Sequence, residues 1–249
     1  AVIRLLERVE LFLYRRAACV VTVTEAFKQD LVRRGIPSSK IEVVTNGVDL
    51  TRFVPRAKDR KLEQRFDLDG AFTVGYIGTH GMAHALETLL ECASQLQSVA
   101  DARRVEFLFL GDGARKAELM QQADTLQLRN VRFIDTVAKD EVASYWALLD
   151  AAIIHLKRDD NFRQVIPSKL FECMGMGLPV LHGVEGESAE IVRKHDVGIV
   201  FRAEDPEQLG NAIRRIAGDP ALHARLAQNA RAAAPNYDRR ALAARMRSI

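Results

Sequence analysis

The chain has 249 residues, 48% apolar and 28% charged, an ordinary globular composition that can build a core without covalent staples. A net charge of +3 with 6% aromatic residues argues against a nucleic-acid module, which is far more basic with aromatics interleaved. Cys19, Cys92 and Cys173 stand far apart without CxxC spacing, which argues against a disulfide framework and for a reducing cytosol.

Ala1 to Arg16 is amphipathic with Glu and Arg interspersed, unlike a signal peptide. No apolar run in the chain is long enough to span a bilayer. There is no initiator methionine and the chain opens within this helical pattern, so a piece of a longer protein is expected. From residue 19 onward, short apolar runs alternate with amphipathic stretches. Strands are expected over 19–23, 41–44, 72–77, 105–110, 131–134, 151–156, 179–182 and 198–201. These runs are bounded by Gly, Asp or Pro, as buried parallel strands are. Helical patterns cover 24–34, with Thr24 as N-cap, then 86–96, 115–126 and 141–149. Asn46-Gly47 and the charged stretch 58–65 mark a seam. After Asp205 the chain turns helical and rich in Ala and Arg, with Pro206 and Pro220 at helix starts. The alternation predicts an α/β fold, an open doubly wound parallel sheet with a helical C-terminus.

Four segments could carry chemistry. In residues 166–179 (IPSKLFECMGMGLP), the residue before Pro167 is held extended and Ser168 is placed to cap a short helix. Leu170, Phe171 and Met174 share the inward face, while Lys169 and Glu172 share another. A helix N-terminus with an adjacent cation suits a diphosphate, and a carboxylate one turn later can accept two hydrogen bonds from a ribose diol. Spacing alone is equally compatible with a solvated Lys–Glu pair. Residues 74–85 (VGYIGTHGMAHA) run from a strand through Gly78-Thr79-His80-Gly81 into a helix. They read as a phosphate loop or as a plain turn, and match neither Walker A nor GxGxxG. Gly111-Asp112-Gly113 is a tight turn after a strand. Residues 182–190 (HGVEGESAE) offer another amide cluster, at Glu187 and Ser188. In an open α/β sheet such loops share one edge, where ligands bind. His80 and His84 have i, i+4 spacing, but no carboxylate completes a metal set.

These residues together resemble the C-terminal portion of a family 4 (group 1) glycosyltransferase with the GT-B fold. Asn46-Gly47-Val48-Asp49 with Phe53 is similar to that family's segment leaving the first domain. Gly111-Asp112-Gly113 is similar to its second-strand turn. Lys169 to Glu172 and Gly177 to Val180 resemble the second half of its Glu-x7-Glu motif and the Gly-x-Pro that follows. The resemblance implies a nucleotide-diphosphate sugar donor, most simply UDP-linked, and a retaining transfer with no metal or other cofactor. By position, Glu172 would hold the ribose and Lys169 the diphosphate, as the catalytic cation. Thr79, His80 and Gly81 would lie beneath the phosphates, and Val137 would meet the base. Ser168, Gln164, Glu187 and Ser188 complete the expected donor site. Gln164 stands where the family has its first Glu, Pro167 where it has Gly, and the family's Lys-Gly pair is absent from the first loop.

The variants THGMAH and IPSKLFE resemble a subgroup of bacterial surface-polysaccharide enzymes, some of which transfer N-acetyl-L-fucosamine. On that resemblance the acceptor is a glycan or lipid-linked, as in O-antigen, capsule or exopolysaccharide synthesis, at the inner face of the plasma membrane. Residues 1–50 would end an N-terminal Rossmann-like domain and its linker, 51–236 would bind the donor, and 237–249 would form a crossing helix. The isolated chain would bind donor but transfer sugar poorly. An epimerase of the same fold and a non-catalytic nucleotide-binding module remain open, whereas the glycine spacing disagrees with an NAD domain. The arginines after residue 205 read either as solvated faces or as a peripheral contact with an anionic membrane.

Overall fold

The computed structural model describes residues 2–98 and 103–249; Ala1, the first residue of the amphipathic segment, lies outside them. Helix α1 (Val2–Arg16) leads to strand β1 (Val20–Thr22), helix α2 (Glu25–Arg33) and strand β2 (Ile41–Val43), and β1 and β2 pair in parallel. Thr24 begins α2 as expected: its backbone is extended and its hydroxyl accepts the Phe27 N–H at 3.1 Å.

After a linker and the short helix α3 (Arg60–Arg65), the chain alternates strictly. It runs through β3 (Phe72–Ile77), α4 (Glu87–Gln97), β4 (Val105–Leu110), α5 (Lys116–Thr125), β5 (Val131–Ile134) and α6 (Val142–Trp146). Then come β6 (Ala151–His155), α7 (Lys169–Met176), β7 (Val180–Gly183), α8 (Glu187–His195) and β8 (Gly198–Val200). The strands form one parallel sheet in the order β5-β4-β3-β6-β7-β8. The order reverses beside β3, which puts a crevice at the carboxyl ends of β3, β4 and β6.

The strand sequences explain the layering. Phe72, Val74 and Tyr76 of β3 and Val105, Phe107 and Phe109 of β4 pack into one buried layer with α4 and α9 (Pro206–Gly218). Ile77, Leu108 and Leu110 pack into the other with α6, α7 and α10 (Pro220–Ala233). Both faces are covered, so these strands read as continuous apolar runs rather than as an alternation.

Several element ends differ from the expected ones by a residue or more, and two of the differences have a visible cause. β7 starts at Val180 rather than at Pro179, because proline has no N–H for the ladder. Helix α6 stops at Trp146, not at 149: Leu148 and Leu149 donate to carbonyls three residues back, at 3.2 Å each, and the last turn tightens into the approach to β6. Pro206 and Pro220 do open helices, each behind an Asp side chain that accepts a backbone N–H.

The final helix α11 (Arg239–Arg247) returns to the linker. Val48 N–H donates to Tyr237 O and Arg239 N–H to Val48 O, each at 2.9 Å. Gly47 permits this crossing, since a side chain there would collide with the Tyr237 carbonyl.

Candidate functional site

A cleft of about 520 Å³ opens at the carboxyl ends of β3, β4 and β5. Its floor is made by the loops after these strands: Gly78 and Thr79, Gly111 and Asp112, Thr136 and Val137. Ser168, Lys169 and Glu172 at the start of α7 form one wall, and Arg52 and Phe53 of the linker with Arg239 of α11 close the other side. A second cavity, about 340 Å³, lies at the opposite end of β4 and β5. There Arg103, Arg104 and Arg132 are already engaged with the backbone carbonyls of Ala71, Asp67 and Phe66.

The floor depends on missing side chains. Gly111 has φ +140° and its Cα packs on the Gly78 carbonyl, where a Cβ would overlap. Gly78 has φ +146°, and a Cβ there would overlap the Lys169 ammonium. These two glycines therefore let two strand-end loops and a lysine converge, which larger residues would prevent. The Gly78 N–H is bonded to Leu110 O at 2.8 Å and the His80 N–H to Asp112 O at 2.8 Å, so the two loops are tied together.

Lys169 extends from the first turn of α7 across the end of β3. Its Nζ donates to the Tyr76 phenol at 2.9 Å and lies 4.1 Å from the ring centroid, a cation–π contact. Burial pulls its pKa down to about 8, opposed by the nearby Glu172 and Cys173. Glu172, one turn along, is pushed the other way. Burial raises its pKa above the usual carboxylate range, while Lys169, Arg52 and Arg239 pull it back. Among the lining residues, Lys169, Lys139, Arg52 and Arg239 outnumber Glu172 and Asp112 by four to two. Such a cleft favours an anion, with one carboxylate kept for hydroxyl donors.

Of the ten residues singled out from the sequence, the cleft gathers Thr79, Val137, Ser168, Lys169 and Glu172. Ser168 lines it, yet it does not cap the helix: its backbone is already helical (φ −59°, ψ −25°) and its hydroxyl caps no amide. The other five point elsewhere. The His80 side chain is fully buried against Tyr76, Phe109 and Phe133, and burial holds its pKa near about 4. The turn at His80 was expected beneath the phosphates; its imidazole, flanked by aromatic rings, packs inward and does not line the cleft. Gly81 opens a short 3₁₀ turn beside the cleft without lining it. Ser188 is fully buried, its hydroxyl 2.8 Å from His182 Nε2. The Glu187 carboxylate accepts the N–H groups of Glu25 and Ala26 at the start of α2, at 3.3 and 3.1 Å. Gln164 ends a 3₁₀ turn that packs against the loop at Gly186, whose Cα abuts the Arg163 carbonyl.

Arg52, Lys139 and Arg239 are the cleft residues that sequence reasoning missed. Arg52 was one residue from the noted Phe53, in a segment read only as a link. Arg239 is one of many arginines after residue 205, read as solvated faces or as a membrane contact.

A family model described as glycosyl transferases group 1 matches residues 71–219, and one described as glycosyltransferase family 4 matches residues 2–52. A D-inositol 3-phosphate glycosyltransferase of Salinispora arenicola is 27% identical over 231 residues, covering 87% of this chain and 50% of that protein. A GDP-mannose-dependent alpha-mannosyltransferase of Mycobacterium tuberculosis is 25% identical over 189 residues, covering 76% of this chain and 45% of that one. The chain thus spans about half the length of these relatives. The crystal structure of Anabaena Alr3699/HepE in complex with UDP superposes with a TM-score of 0.81 at 21% identity, covering 97% of this chain and 67% of that one. That likeness establishes the GT-B arrangement of the sheet and helices.

Proposed function

The chain belongs to the group 1 glycosyl transferases, and on that footing we propose that its cleft binds a nucleoside-diphosphate sugar, UDP-linked, for transfer to an acceptor hydroxyl. The observation that carries the reading is the meeting of Lys169, Glu172 and the glycine floor in one cleft of net positive lining. Lys169 faces the diphosphate, with the first amides of α7 beside it. Glu172 accepts the ribose hydroxyls, and Val137 borders the base. The UDP in the Anabaena relative supports this choice of nucleotide.

The chemistry that follows is electrostatic. As the sugar–phosphate bond breaks, negative charge grows on the departing diphosphate, and fixed cations and N–H groups stabilise it most when they need not reorganise. Lys169 is so fixed, by Tyr76. Arg52 and Arg239 add positive charge near Glu172 and oppose the rise that burial imposes on its carboxyl pKa. The transfer is retaining and uses no metal. The sugar is N-acetyl-L-fucosamine or another amino sugar, and the acceptor a glycan or lipid-linked glycan of a bacterial surface polysaccharide, handled at the inner face of the plasma membrane. The IPSKLFE and THGMAH variants support this finer reading. Residues 1–50 end an N-terminal domain, 51–236 bind donor and 237–249 cross back, so this chain binds donor and transfers sugar weakly by itself.

A thermal-shift panel of UDP, GDP, ADP and NAD tests the reading. A ligand present at 100 times its Kd adds about 2.7 kcal/mol, a shift of several degrees for UDP. Stabilisation by NAD with none by UDP would end it.

A further inference from the structure

Tyr76 lies on the opposite face of β3 from α7, in the aromatic layer with Phe109, and its ring is almost fully buried. Its hydroxyl meets two residues that line the cleft, Lys169 and Thr79. There it accepts a hydrogen bond from Lys169 Nζ at 2.9 Å and donates one to the Thr79 carbonyl at 2.9 Å. The Lys169 side chain has little room to rest elsewhere: its Cε and Nζ lie against Gly78 Cα on one side and the Tyr76 ring on the other. One phenol therefore bonds the cation on the cleft wall and the loop on the cleft floor. A long lysine on water-exposed protein samples many rotamers, and ordering it on ligand binding would cost free energy.

We infer that Tyr76 is the positioning residue of this site: it fixes the Lys169 ammonium and the Thr79 loop together, before the diphosphate arrives. The inference rests on the reading of Lys169 as the diphosphate's cation. The groups facing that ammonium are Tyr76 from β3, His80 and His84 from the following loop, and Glu172 and Cys173 from α7. Burial holds both histidines near about 4 and pushes the phenol and the thiol up. Lys169, pulled down to about 8 by burial, has a resonance of its own to follow, and its midpoint reports its partners.

The experiment compares the unaltered chain with Tyr76→Phe and Lys169→Met. Lysine Cε chemical shifts followed with pH give the Lys169 midpoint, assigned by its loss in Lys169→Met. Calorimetry gives affinities for UDP and for uridine. Removing the phenol takes an acceptor from the ammonium, so in Tyr76→Phe the midpoint moves down by about half a pH unit or more. UDP affinity falls roughly fivefold while uridine affinity is unchanged. If Tyr76→Phe does not fold, fluorotyrosine at position 76 keeps the ring and weakens the acceptor, with the same direction expected. An unmoved midpoint, or equal losses for UDP and uridine, overturns the positioning role even if Lys169→Met loses UDP binding. If Lys169→Met binds UDP as the unaltered chain does, the reading of Lys169 falls and the inference with it.

Discussion

Two loops at the same sheet edge look alike in sequence and differ in what their polar groups are doing. Gly78 to Gly81 and Gly183 to Ser188 each join a buried strand to a helix through glycines. At the first, the lysine from α7 and the Glu172 carboxylate meet an open cleft. At the second, Ser188 is bonded to His182, Glu187 to the amides of α2, and Gly186 is packed on Arg163. The strand–glycine–helix unit supplies a place for an anion, but it serves a ligand only where the groups around it have not already been satisfied by the protein.

The sharpest way to break this comparison is to add one methyl group at each loop. Gly78→Ala, at φ +146°, should cost some stability through backbone strain, and because it also pushes the Lys169 ammonium aside, UDP affinity should fall about tenfold or more, in line with a lost charge-assisted contact. Gly186→Ala, at φ +81° and against the Arg163 carbonyl, should cost stability, about 1–3 kcal/mol, and leave UDP affinity unmoved. Denaturant melts and UDP titrations of both variants read this out, and an equal profile for the two would erase the distinction.

The pH dependence sharpens it further. If Lys169 faces the diphosphate as proposed, UDP binding should favour its charged form, whose pKa burial pulls down to about 8. Below that value the charge is present; above it, binding must take up a proton, so affinity should fall by up to about tenfold per pH unit. For folding the sign is opposite: the unfolded lysine keeps its proton to about 10.5, so Lys169's contribution to stability improves as pH rises from 8 to 10.5. At the acid end, burial pulls His182 down to about 3 and His80 to about 4, from an ordinary imidazole value of 6.5. The unfolded state takes up those protons first. Stability should therefore be lost as pH falls from 6.5 toward these values, by at most about 1.4 kcal/mol per pH unit for each histidine. Acid melts of His182→Gln that match those of the unaltered chain would contradict this. Glu172→Gln keeps shape and one acceptor, so a smaller loss is expected, about fivefold for UDP and less for the 2′-deoxy nucleotide. The smallest effect belongs to Ser188→Ala, about 1 kcal/mol of stability with nucleotide binding unmoved.

Much of the fold was legible because its strands are short apolar runs set between turn residues. The runs 72–77, 105–110 and 131–134 were placed to the residue, since burial on both faces leaves no polar position to blur them. The cleft was legible in part. Lys169 and Glu172 share a helix face, and that follows from periodicity alone. What periodicity does not give is direction across elements. His80 and Thr79 are neighbours in one loop, yet one turns into an aromatic layer and the other lines the cleft. Ser188 reads in sequence as part of an open amide cluster, because its partner, His182, lies across a loop rather than on the same helix. Arg239 reaches the cleft from a helix 70 residues beyond Lys169, through a bridge between Val48 and Asp238 that no local pattern announces.

The most direct test of the account titrates UDP by calorimetry at pH 7 into the unaltered chain, Lys169→Ala and Ser188→Ala. Binding by the unaltered chain is expected, with a loss of about ten- to a hundredfold for Lys169→Ala and no change for Ser188→Ala. Equal affinities for Lys169→Ala and the unaltered chain, or a selective loss in Ser188→Ala, would contradict it.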